Sequence, residues 1–417
     1  MSTALDSPAA GAAPARPLLG VFEAATLLAL LLGLQPVLTD MYLPALPLIA
    51  QSLAAPKSAV QQTMSALILA FGLMQLVWGP VADRFGRRPV LLANLALLVA
   101  ASVGAALAHD IGALVGWRAA QGAALAAAVV CARAMVRDLY EPYQGAHVMS
   151  WALSGLGVLA VAAPLAGGVL AAAFGWRASL AAVAAFAAVS LLWVAWRLPE
   201  TLGADNRQTL RVGTLVRNAR EVVAHRSFRA WALLVAATYG GLFILLSATS
   251  YAYIGQLGMT STQYGATLAG GSLVYLAGTF VCRRWLRVAG LRGAVRRGAG
   301  FTLAGGLGMG ACALLDAPPL PVVLACHALY TFGHGMHQPC GQAGAVGPFP
   351  QMAGVASALA GCFLALVAFG VGLWLGVALD GTLRPVGLGL AFWGSVTAAV
   401  AWTLVQRHGE PPRRAAT

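Results

Sequence analysis

The longest uncharged stretch of this chain restricts its fold more than any other feature. Residues 230–282 contain no Asp, Glu, Lys or Arg, and a bilayer is crossed by a helix of only about 20 apolar residues. Of all residues 59% are hydrophobic and 9% are charged, whereas a soluble domain carries about 25% charged residues. A soluble globule could not cover its surface with so few charges. Disordered, collagen-like and coiled-coil chains are excluded, because each needs a polar or periodic composition.

Charge-free runs therefore predict an all-α membrane protein with twelve transmembrane helices. Turn residues at 255–262 and 341–354 divide the two longest runs. The first 20 residues lack the pattern of a cleavable signal peptide. We predict two pseudo-symmetric six-helix bundles with a polar linker between them. The expected regions are an N-terminal tail 1–20, bundles 21–197 and 229–406, a linker 198–228 and a C-terminal tail 407–417.

The distribution of basic residues predicts the orientation. In the twelve-helix arrangement 22 of the 26 Lys and Arg residues fall on one side, and positive charges collect on the cytoplasmic side of membrane proteins. Only Lys57, Arg177 and Arg384 fall on the other side, and Arg118 lies within a span. Both termini are therefore expected in the cytoplasm, with the tails and the linker.

A weak internal repeat favours transport. The segment Gly79-Pro-Val-Ala-Asp83-Arg84 recurs 199 residues later as Gly278-Thr-Phe-Val-Cys282-Arg283. Duplicated six-helix halves with a site between them are typical of secondary transporters.

The loop between the second and third spans carries the strongest motif. Its glycines permit a tight turn, and its Asp and Arg side chains could form a charge network that clamps the two halves; the alternative is an ordinary basic cytoplasmic loop. The motif, Gly79-Pro-Val-Ala-Asp83-Arg84-Phe-Gly86-Arg87-Arg88, resembles the loop signature of the major facilitator superfamily. That resemblance implies contact between Asp83 and the start of the eleventh span.

Three further segments resemble the bicyclomycin/chloramphenicol-resistance (Bcr/CflA) type of drug:proton antiporter. The resemblance implies proton-coupled efflux of small amphipathic drugs or related toxic compounds across a bacterial inner membrane, by alternating access. The segments are Thr39-Asp40-Met41-Tyr42-Leu43-Pro44-Ala45-Leu46-Pro47, Arg133-Ala-Met-Val-Arg137-Asp138-Leu-Tyr140 and Gly354-Val-Ala-Ser357-Ala-Leu-Ala-Gly361.

Asp40 and Arg118 are the candidates for proton coupling. An Asp within a span costs roughly 2.5–3.5 kcal/mol on insertion scales and marks a relay or pathway; the alternative is that Asp40 caps its span at the headgroup level. Arg118 opens Arg118-Ala-Ala-Gln121-Gly122, which resembles the fourth-span motif of the superfamily. An always-charged Arg needs a partner or a wet cavity, and Asp40 is the expected partner. The alternative is that Arg118 extends to the interface beside Trp117.

The fifth span carries Ala163-Pro164-Leu-Ala-Gly167-Gly168, which resembles the antiporter motif of the superfamily. It departs from that motif because Ala163 stands where the motif has Gly. Pro164 would bend the helix, and Gly167 and Gly168 would allow close packing. Packing alone would also explain these residues.

Aromatic, Met and His side chains are candidates for a substrate cavity, since rings bury large areas without demanding one ligand shape. Ordinary packing is the alternative for the aromatic and Met residues. The span-ten histidines, His327 included, could instead be satisfied by the backbone or by Gln338 and Gln342. The candidates are Tyr42, Met64, Tyr239, Phe243, His334 and His337.

No other class of function is favoured by a motif. The sequence has no nucleotide-binding loop of the G-x-x-x-x-G-K-[ST] type and no recognisable catalytic set, so we expect neither an enzyme nor a metal site. The expected energy source is the proton gradient, without a cofactor, and the expected partners are a small substrate, protons and lipid, without nucleic acid. We expect a monomer. A symporter or uniporter for a metabolite, and a membrane receptor without transport, remain alternatives.

Overall fold

The computed structural model describes residues 20–203, 212–315 and 318–409. Most of the expected tails 1–20 and 407–417, and part of the expected linker 198–228, lie outside these ranges. Within them the secondary structure is helical and contains no β-strand. The predicted all-α class is therefore confirmed for the described part of the chain.

Fourteen α-helices follow one another along the described chain. Short 3₁₀ turns precede α2 and α12, and a π-helical turn, Tyr251–Gln256, follows α9. The helices are α1 Val21–Thr39, α2 Leu46–Ser52, α3 Lys57–Phe85, α4 Arg87–Ala106, α5 Ile111–Leu139, α6 Pro142–Phe174, α7 Trp176–Arg197, α8 Val212–Ala224, α9 Arg226–Ser247, α10 Ser261–Cys312, α11 Leu320–Val346, α12 Ala353–Ala378, α13 Leu383–Trp402 and α14 Leu404–His408.

Ten helical segments in the described ranges are long and apolar enough to cross a membrane. One of them, α10, has 52 residues, which at about 1.5 Å per residue is more than twice the thickness of a bilayer core. Gly290 interrupts it with a φ of 64°, a conformation that glycine adopts without steric cost. α10 thus has two arms, 261–289 and 291–312. α11 is not among the ten, although it has 27 residues.

The breaks between helices follow the turn signals of the sequence. α9 and its π-helical turn end at Gln256, and Thr260 begins α10 with a capping box that includes Gln263. Pro350 stands in the short turn between α11 and α12. Both divisions lie where Gly and Pro residues predict them.

The helices form a bundle with two chemically different ends. One end carries the terminal arginines of several helices and is called the arginine-rich end; they are Arg84, Arg87, Arg88, Arg137, Arg197 and Arg226. The other is called the opposite end. The helices fall into a first set, α1–α7, and a second set, α9–α13. The two sets contact each other mainly through two helix pairs, α3 with α12 and α6 with the first arm of α10.

Candidate functional site

Arg118 is a fully buried cation in the interior of helices α1–α5. Its exposed fraction is 0%. One Nη donates to the backbone oxygen of Leu38 at 3.0 Å and to Gln121 Oε1 at 3.0 Å, and the other contacts Met64 Sδ at 3.2 Å. The Tyr42 ring lies under the guanidinium, with 4.1 Å between Cζ and the ring centroid. Arg118 therefore faces the bundle and not the interface beside Trp117, which is 40% exposed.

Two further side-chain hydrogen bonds connect the partners of Arg118 to neighbouring helices. Tyr42 Oη and Thr63 Oγ1 lie 2.8 Å apart, and Gln121 Nε2 donates to Ser102 Oγ at 2.9 Å. Arg118 thus connects the end of α1 with α3 and, through Gln121, with α4. These polar partners and the aromatic face stabilise a charge that is buried this deeply, although Arg118 Nε has no hydrogen-bond partner among the described residues.

The expected direct pairing of Arg118 with Asp40 is wrong for this conformation. No N–O distance of 4.0 Å or less joins the two side chains; the contacts of Arg118 are with Leu38 and Tyr42, two residues to either side of Asp40. The reason is geometric, since the guanidinium reaches the backbone and ring of this segment from inside the first bundle. Arg118 therefore holds the segment 38–42 without neutralising the carboxyl that it carries.

Asp40 faces the second set of helices. It ends α1, is partly buried and accepts a hydrogen bond from Thr39 Oγ1 at 2.7 Å. Its charge lies within electrostatic range of Tyr239 on α9 and Tyr264 on α10. Tyr264 Oη is 2.9 Å from Thr249 Oγ1. The carboxyl therefore stands where helices of both halves can reach it.

The three histidines of α11 do not form one site. His327 Nδ1 lies 3.2 Å from Tyr253 Oη, and His337 Nε2 lies 3.1 Å from Thr302 Oγ1 on the second arm of α10. His334 Nδ1 lies 3.0 Å from Thr238 Oγ1. His327 and His334 thus bond to the π-helical turn after α9 and to α9 itself, whereas His337 bonds to α10.

His334 lies beside Tyr239, one of the aromatic residues predicted for the cavity. Its ring centroid is 6.4 Å from that of Tyr239 and 5.7 Å from that of Tyr275. Among the predicted cavity residues, Tyr42 and Met64 instead contact Arg118. Phe243 is buried beside Gly372 of α12. Within the described ranges no group of three His, Cys, Asp or Glu side chains could hold a metal ion.

The antiporter-like segment of α6 is a contact surface on both sides. A Cβ at Gly167 would clash with the backbone of Met41, and one at Gly168 would lie 2.7 Å from the Ser261 backbone oxygen. Gly167 thus lets α6 approach the residue next to Asp40, and Gly168 lets it approach α10. Gly122 has the same role on α5, where a Cβ would clash with the Leu67 backbone oxygen of α3.

Pro164 leaves a backbone carbonyl of α6 free to accept a hydrogen bond from the other half of the protein. Proline has no N–H, so the backbone oxygen of residue 160 loses its usual helical partner. Ser272 of α10 donates its hydroxyl to this Ala160 oxygen at 2.9 Å. The proline therefore creates a hydrogen-bond acceptor at the contact between α6 and α10.

The motif at the arginine-rich end forms an ion-pair network. Arg87 pairs with Asp83 at 2.5 Å and with Asp138 of α5 at 3.1 Å. Glu200 accepts from the backbone nitrogens of Arg87 at 2.9 Å and Arg88 at 3.3 Å. Gly86, with a φ of 102°, makes the turn that places these groups together.

This network joins α3, α4, α5 and the segment after α7, and it does not clamp the two halves together as expected. Among the described residues, Asp83 forms no hydrogen bond or ion pair with α12. A side-chain hydrogen bond does reach α12 from the first bundle near this end, between Arg133 Nη1 and Ser357 Oγ at 3.3 Å. The side chains of Arg84 and Arg88 form no ion pair in the described part of the chain, although Arg88 donates to the Ala195 backbone oxygen at 3.0 Å. Gly79 lies next to α5, where a Cβ would be 3.9 Å from Val130 Cγ1.

Small residues close the opposite end. Ser65 packs directly on Gly372 and Ala365 on Gly72, while a Cβ at Gly376 would lie 3.6 Å from that of Ser58. Backbones approach this closely only where glycine or another small residue leaves space. α3 and α12 are therefore in contact from their ends at this side to beyond the middle of the bundle.

A charged pair flanks this closed contact. Lys57 Nζ would lie 2.6 Å from a Cβ at Gly381, and its charge acts on Asp380 of the second half. Partial burial acts to raise the pKa of Asp380, but hydrogen bonds from Thr382 and the Lys57 charge outweigh it. The pKa of Asp380 consequently lies below its ordinary value of 3.8.

Sequence reasoning missed several residues that hold these sites. Asp138 lies in a quoted motif but was assigned no partner, and Glu200 follows α7 without a recognisable pattern. Thr63, Ser102 and Ser272 are single polar residues in apolar helices. Each interacts with a residue at least 19 positions away, so local spacing could not reveal the pairs.

Comparison with known proteins gives a consistent result. Residues 28–373 match the family model described as Major Facilitator Superfamily. The chain is 29% identical to the bicyclomycin resistance protein homolog of Haemophilus influenzae, over 84% of this chain and 86% of that protein. It is 29% identical to multidrug resistance protein D of Escherichia coli, over 80% and 84% of the two chains.

A solved structure shows the same fold. The xylose transporter XylE from E. coli, in a partially occluded inward open conformation, has a TM-score of 0.73 to this chain at 15% identity. The likeness covers 95% of this chain and 99% of that one. The similarity to bicyclomycin-resistance transporters expected from the motifs is confirmed by the relatives.

Proposed function

Since the chain belongs to the Major Facilitator Superfamily, we propose that it exports small amphipathic toxic compounds, antibiotics among them, in exchange for protons. The names of its relatives, a bicyclomycin resistance homolog and a multidrug resistance protein, support drug efflux. The observation that carries the proposal is the buried Arg118 cluster beside Asp40. Intramembrane ionisable residues mark a pathway and not a lipid contact, and Asp40 lies within electrostatic range of Tyr239 and Tyr264 of the second half.

The proposed topology has twelve spans and cytoplasmic termini. The two arms of α10 count as two spans and α11 as one, which adds two to the ten long apolar segments. The arginine-rich end then lies in the cytoplasm, in agreement with the excess of basic residues on that side. We propose that the protein is a monomer in a bacterial inner membrane. The proton gradient drives its transport, without a cofactor. The process is transport and includes no covalent step.

Asp40 is the proposed proton carrier and Arg118 its positioning residue. Arg118 fixes the backbone at Leu38 and the ring of Tyr42, so it determines where the carboxyl between them points. In the proposed cycle a proton reaches Asp40 from the opposite end and substrate is released there. Deprotonation to the cytoplasm then resets the site. The Gln121 contact and the close approach at Gly122 keep Arg118 in place.

The structure is interpreted as the state that is closed toward the periplasm. The small-residue contacts of α3 with α12 and of α6 with α10 support this interpretation. In the other state we propose that the motif network at Asp83, Arg84, Arg87 and Arg88 meets the start of α12. That segment has no charge of its own, and a helix N-terminus favours a carboxylate.

The test is proton release driven by substrate binding to purified protein in detergent, with chloramphenicol as the probe. Wild type should release protons on binding, and Asp40→Asn should release none, because Asn cannot carry the proton. The matched control is Asp110→Asn at the exposed start of α5. Asp110 caps that helix through the Ala113 nitrogen at 2.8 Å, and Asn caps equally well.

Three results would contradict the proposal. Proton release by Asp40→Asn equal to wild type would exclude the carboxyl as carrier. In proteoliposomes, proton movement in the same direction as substrate would instead favour a symporter, and substrate movement without protons a uniporter. A symporter and a uniporter are both compatible with this fold, because the fold alone does not determine how transport is coupled to protons.

A further inference from the structure

Gln61 has a buried side-chain amide without a hydrogen-bond partner at the opposite end of the bundle, where α3 and α12 are in contact. It lies on the second turn of α3 with 0% of its surface exposed. Neither Nε2 nor Oε1 has a hydrogen-bond partner among the described residues. Burial of an unpaired amide is unfavourable, so this position opposes the conformation in which it is observed.

The polar neighbours of Gln61 on α3 are satisfied. Thr63 bonds to Tyr42, and Ser65 donates to the Gln61 backbone oxygen at 3.3 Å. Met64 receives the Arg118 guanidinium. The unpaired state is therefore specific to the Gln61 side chain and does not extend to the rest of this turn.

Helical geometry places Gln61 at the contact with α12. At about 100° per residue, its direction from the helix axis is roughly 40° from that of Ser65 and about 60° from that of Ser58. Ser65 and Ser58 are the residues that meet Gly372 and Gly376. Gln62 points about 60° to the other side of Ser65 and is exposed.

We propose that Gln61 is a gating residue that favours opening of the opposite end. While α3 and α12 are in contact, its amide is shielded from water and from other donors and acceptors. When the helices separate, water reaches the amide and completes its hydrogen bonds. The differential solvation stabilises the open state relative to the closed one. This inference rests on the proposed alternating access and assigns a residue to one of its steps.

The experiment measures the distance between the halves by pulsed electron paramagnetic resonance, without substrate. Spin labels are attached through Gln51→Cys at the end of α2 and Arg384→Cys at the start of α13, both exposed positions. The native cysteines are all buried, and the protein without the two added cysteines gives the background. Gln61→Leu should increase the closed-to-open ratio on the order of tenfold, because it removes the unpaired amide.

Gln62→Leu is the matched control and should change the ratio less than twofold. Gln61→Met is a second apolar variant with an unbranched side chain. If the unpaired amide is the cause, both apolar variants shift the ratio in the same direction. Chloramphenicol efflux by Gln61→Leu should also slow, since release requires the opening that the substitution disfavours.

Unchanged populations in both apolar variants, in a protein whose wild type exchanges substrate, would overturn the gating role and leave the transport function intact. A shift toward the open state would overturn it as well. A single distance in every variant, together with no counterflow by wild type, would contradict alternating access and the gating role together.

Discussion

The two ends of the bundle are held together by different forces. From the opposite end to the middle of the bundle, α3 and α12 meet through Ser65 on Gly372 and Ala365 on Gly72, where small side chains pack directly on glycine. At the arginine-rich end, ion pairs join helices of the first bundle to one another, and a hydrogen bond from Arg133 to Ser357 reaches across to α12.

In the proposed transport cycle, this difference would let one end open without loss of the fold. Close packing of small side chains is short-ranged and is lost when two helices separate by a few ångströms. Ion pairs within one half move with that half as a rigid unit. In the proposed cycle the opposite end is the contact that opens and closes, while the ion pairs of the motif network act as a brace that keeps α3, α4 and α5 together.

The largest expected effect comes from filling the close contact at the opposite end. Gly372→Val places a branched side chain where Ser65 already packs, so α3 and α12 cannot close. Overpacking of this kind predicts a loss of roughly 10- to 100-fold in substrate counterflow by reconstituted protein.

The control is Gly370→Val on the same helix, where a Cβ meets nothing within 4 Å. It should transport at the wild-type rate. If Gly372→Val also did so, the contact seen here would not be needed for the cycle.

The next effect tests the brace at the arginine-rich end. Arg87→Gln removes the partner of both Asp83 and Asp138, and loss of charge-assisted hydrogen bonds predicts a decrease of about 2–3 kcal/mol in the free energy of unfolding. Thermal unfolding in detergent would measure it. Arg84→Gln, in the same loop but exposed and without an ion pair among the described residues, should change it by about 0.5 kcal/mol or less. Equal destabilisation by both would show that the network is not the brace.

A smaller effect is expected at the second contact between the halves. Ser272→Ala leaves the Ala160 oxygen without its donor, which predicts that the closed state is destabilised by about 1 kcal/mol, or that the closed-to-open ratio falls roughly fivefold. The spin-label distances described above would report it. Thr267→Ala, whose hydroxyl bonds to Gln263 in the same helix, should leave the populations unchanged. A population shift in that control alone would contradict the assignment.

The smallest effect concerns the charges of Lys57 and Asp380 at the opposite end. Lys57→Gln should weaken closure by about 0.2–1 kcal/mol, and less at high salt. Because the pKa of Asp380 is depressed below 3.8, its interaction with Lys57 is present at neutral pH and is lost as the pH falls through that depressed value. The closed population of wild type should therefore decrease under strong acid while that of Lys57→Gln responds less. An identical acid response of the two proteins would contradict this pairing.

Much of the fold could be predicted because its signals are local. The turns at 255–262 and 341–354 divide helices where the structure does, and Gly86 makes the predicted turn of the motif. The Pro164 segment was predicted to allow close packing, and Gly167 and Gly168 have that role. Glycine and proline restrict their own backbone, so their effects are visible without knowledge of the neighbours.

The partners of the charged residues could not be predicted in the same way. For Arg118 and Asp40 the sequence favoured a direct pair, but in the structure Arg118 contacts Leu38 and Tyr42 instead. Asp83 was expected at α12 and pairs with Arg87 instead. Opposite charges suggest a pair, while the actual contact depends on which helix faces bring the side chains together.

The sequence alone determined that this chain is a helical membrane protein with an arginine-rich side, because apolar length and charge are summed along the chain. Only the tertiary structure decided that Arg118 holds the segment around Asp40, that Ser272 completes the Pro164 turn, and that Gln61 is buried unpaired. Each of these depends on the distance between residues far apart in sequence, and helix packing sets that distance.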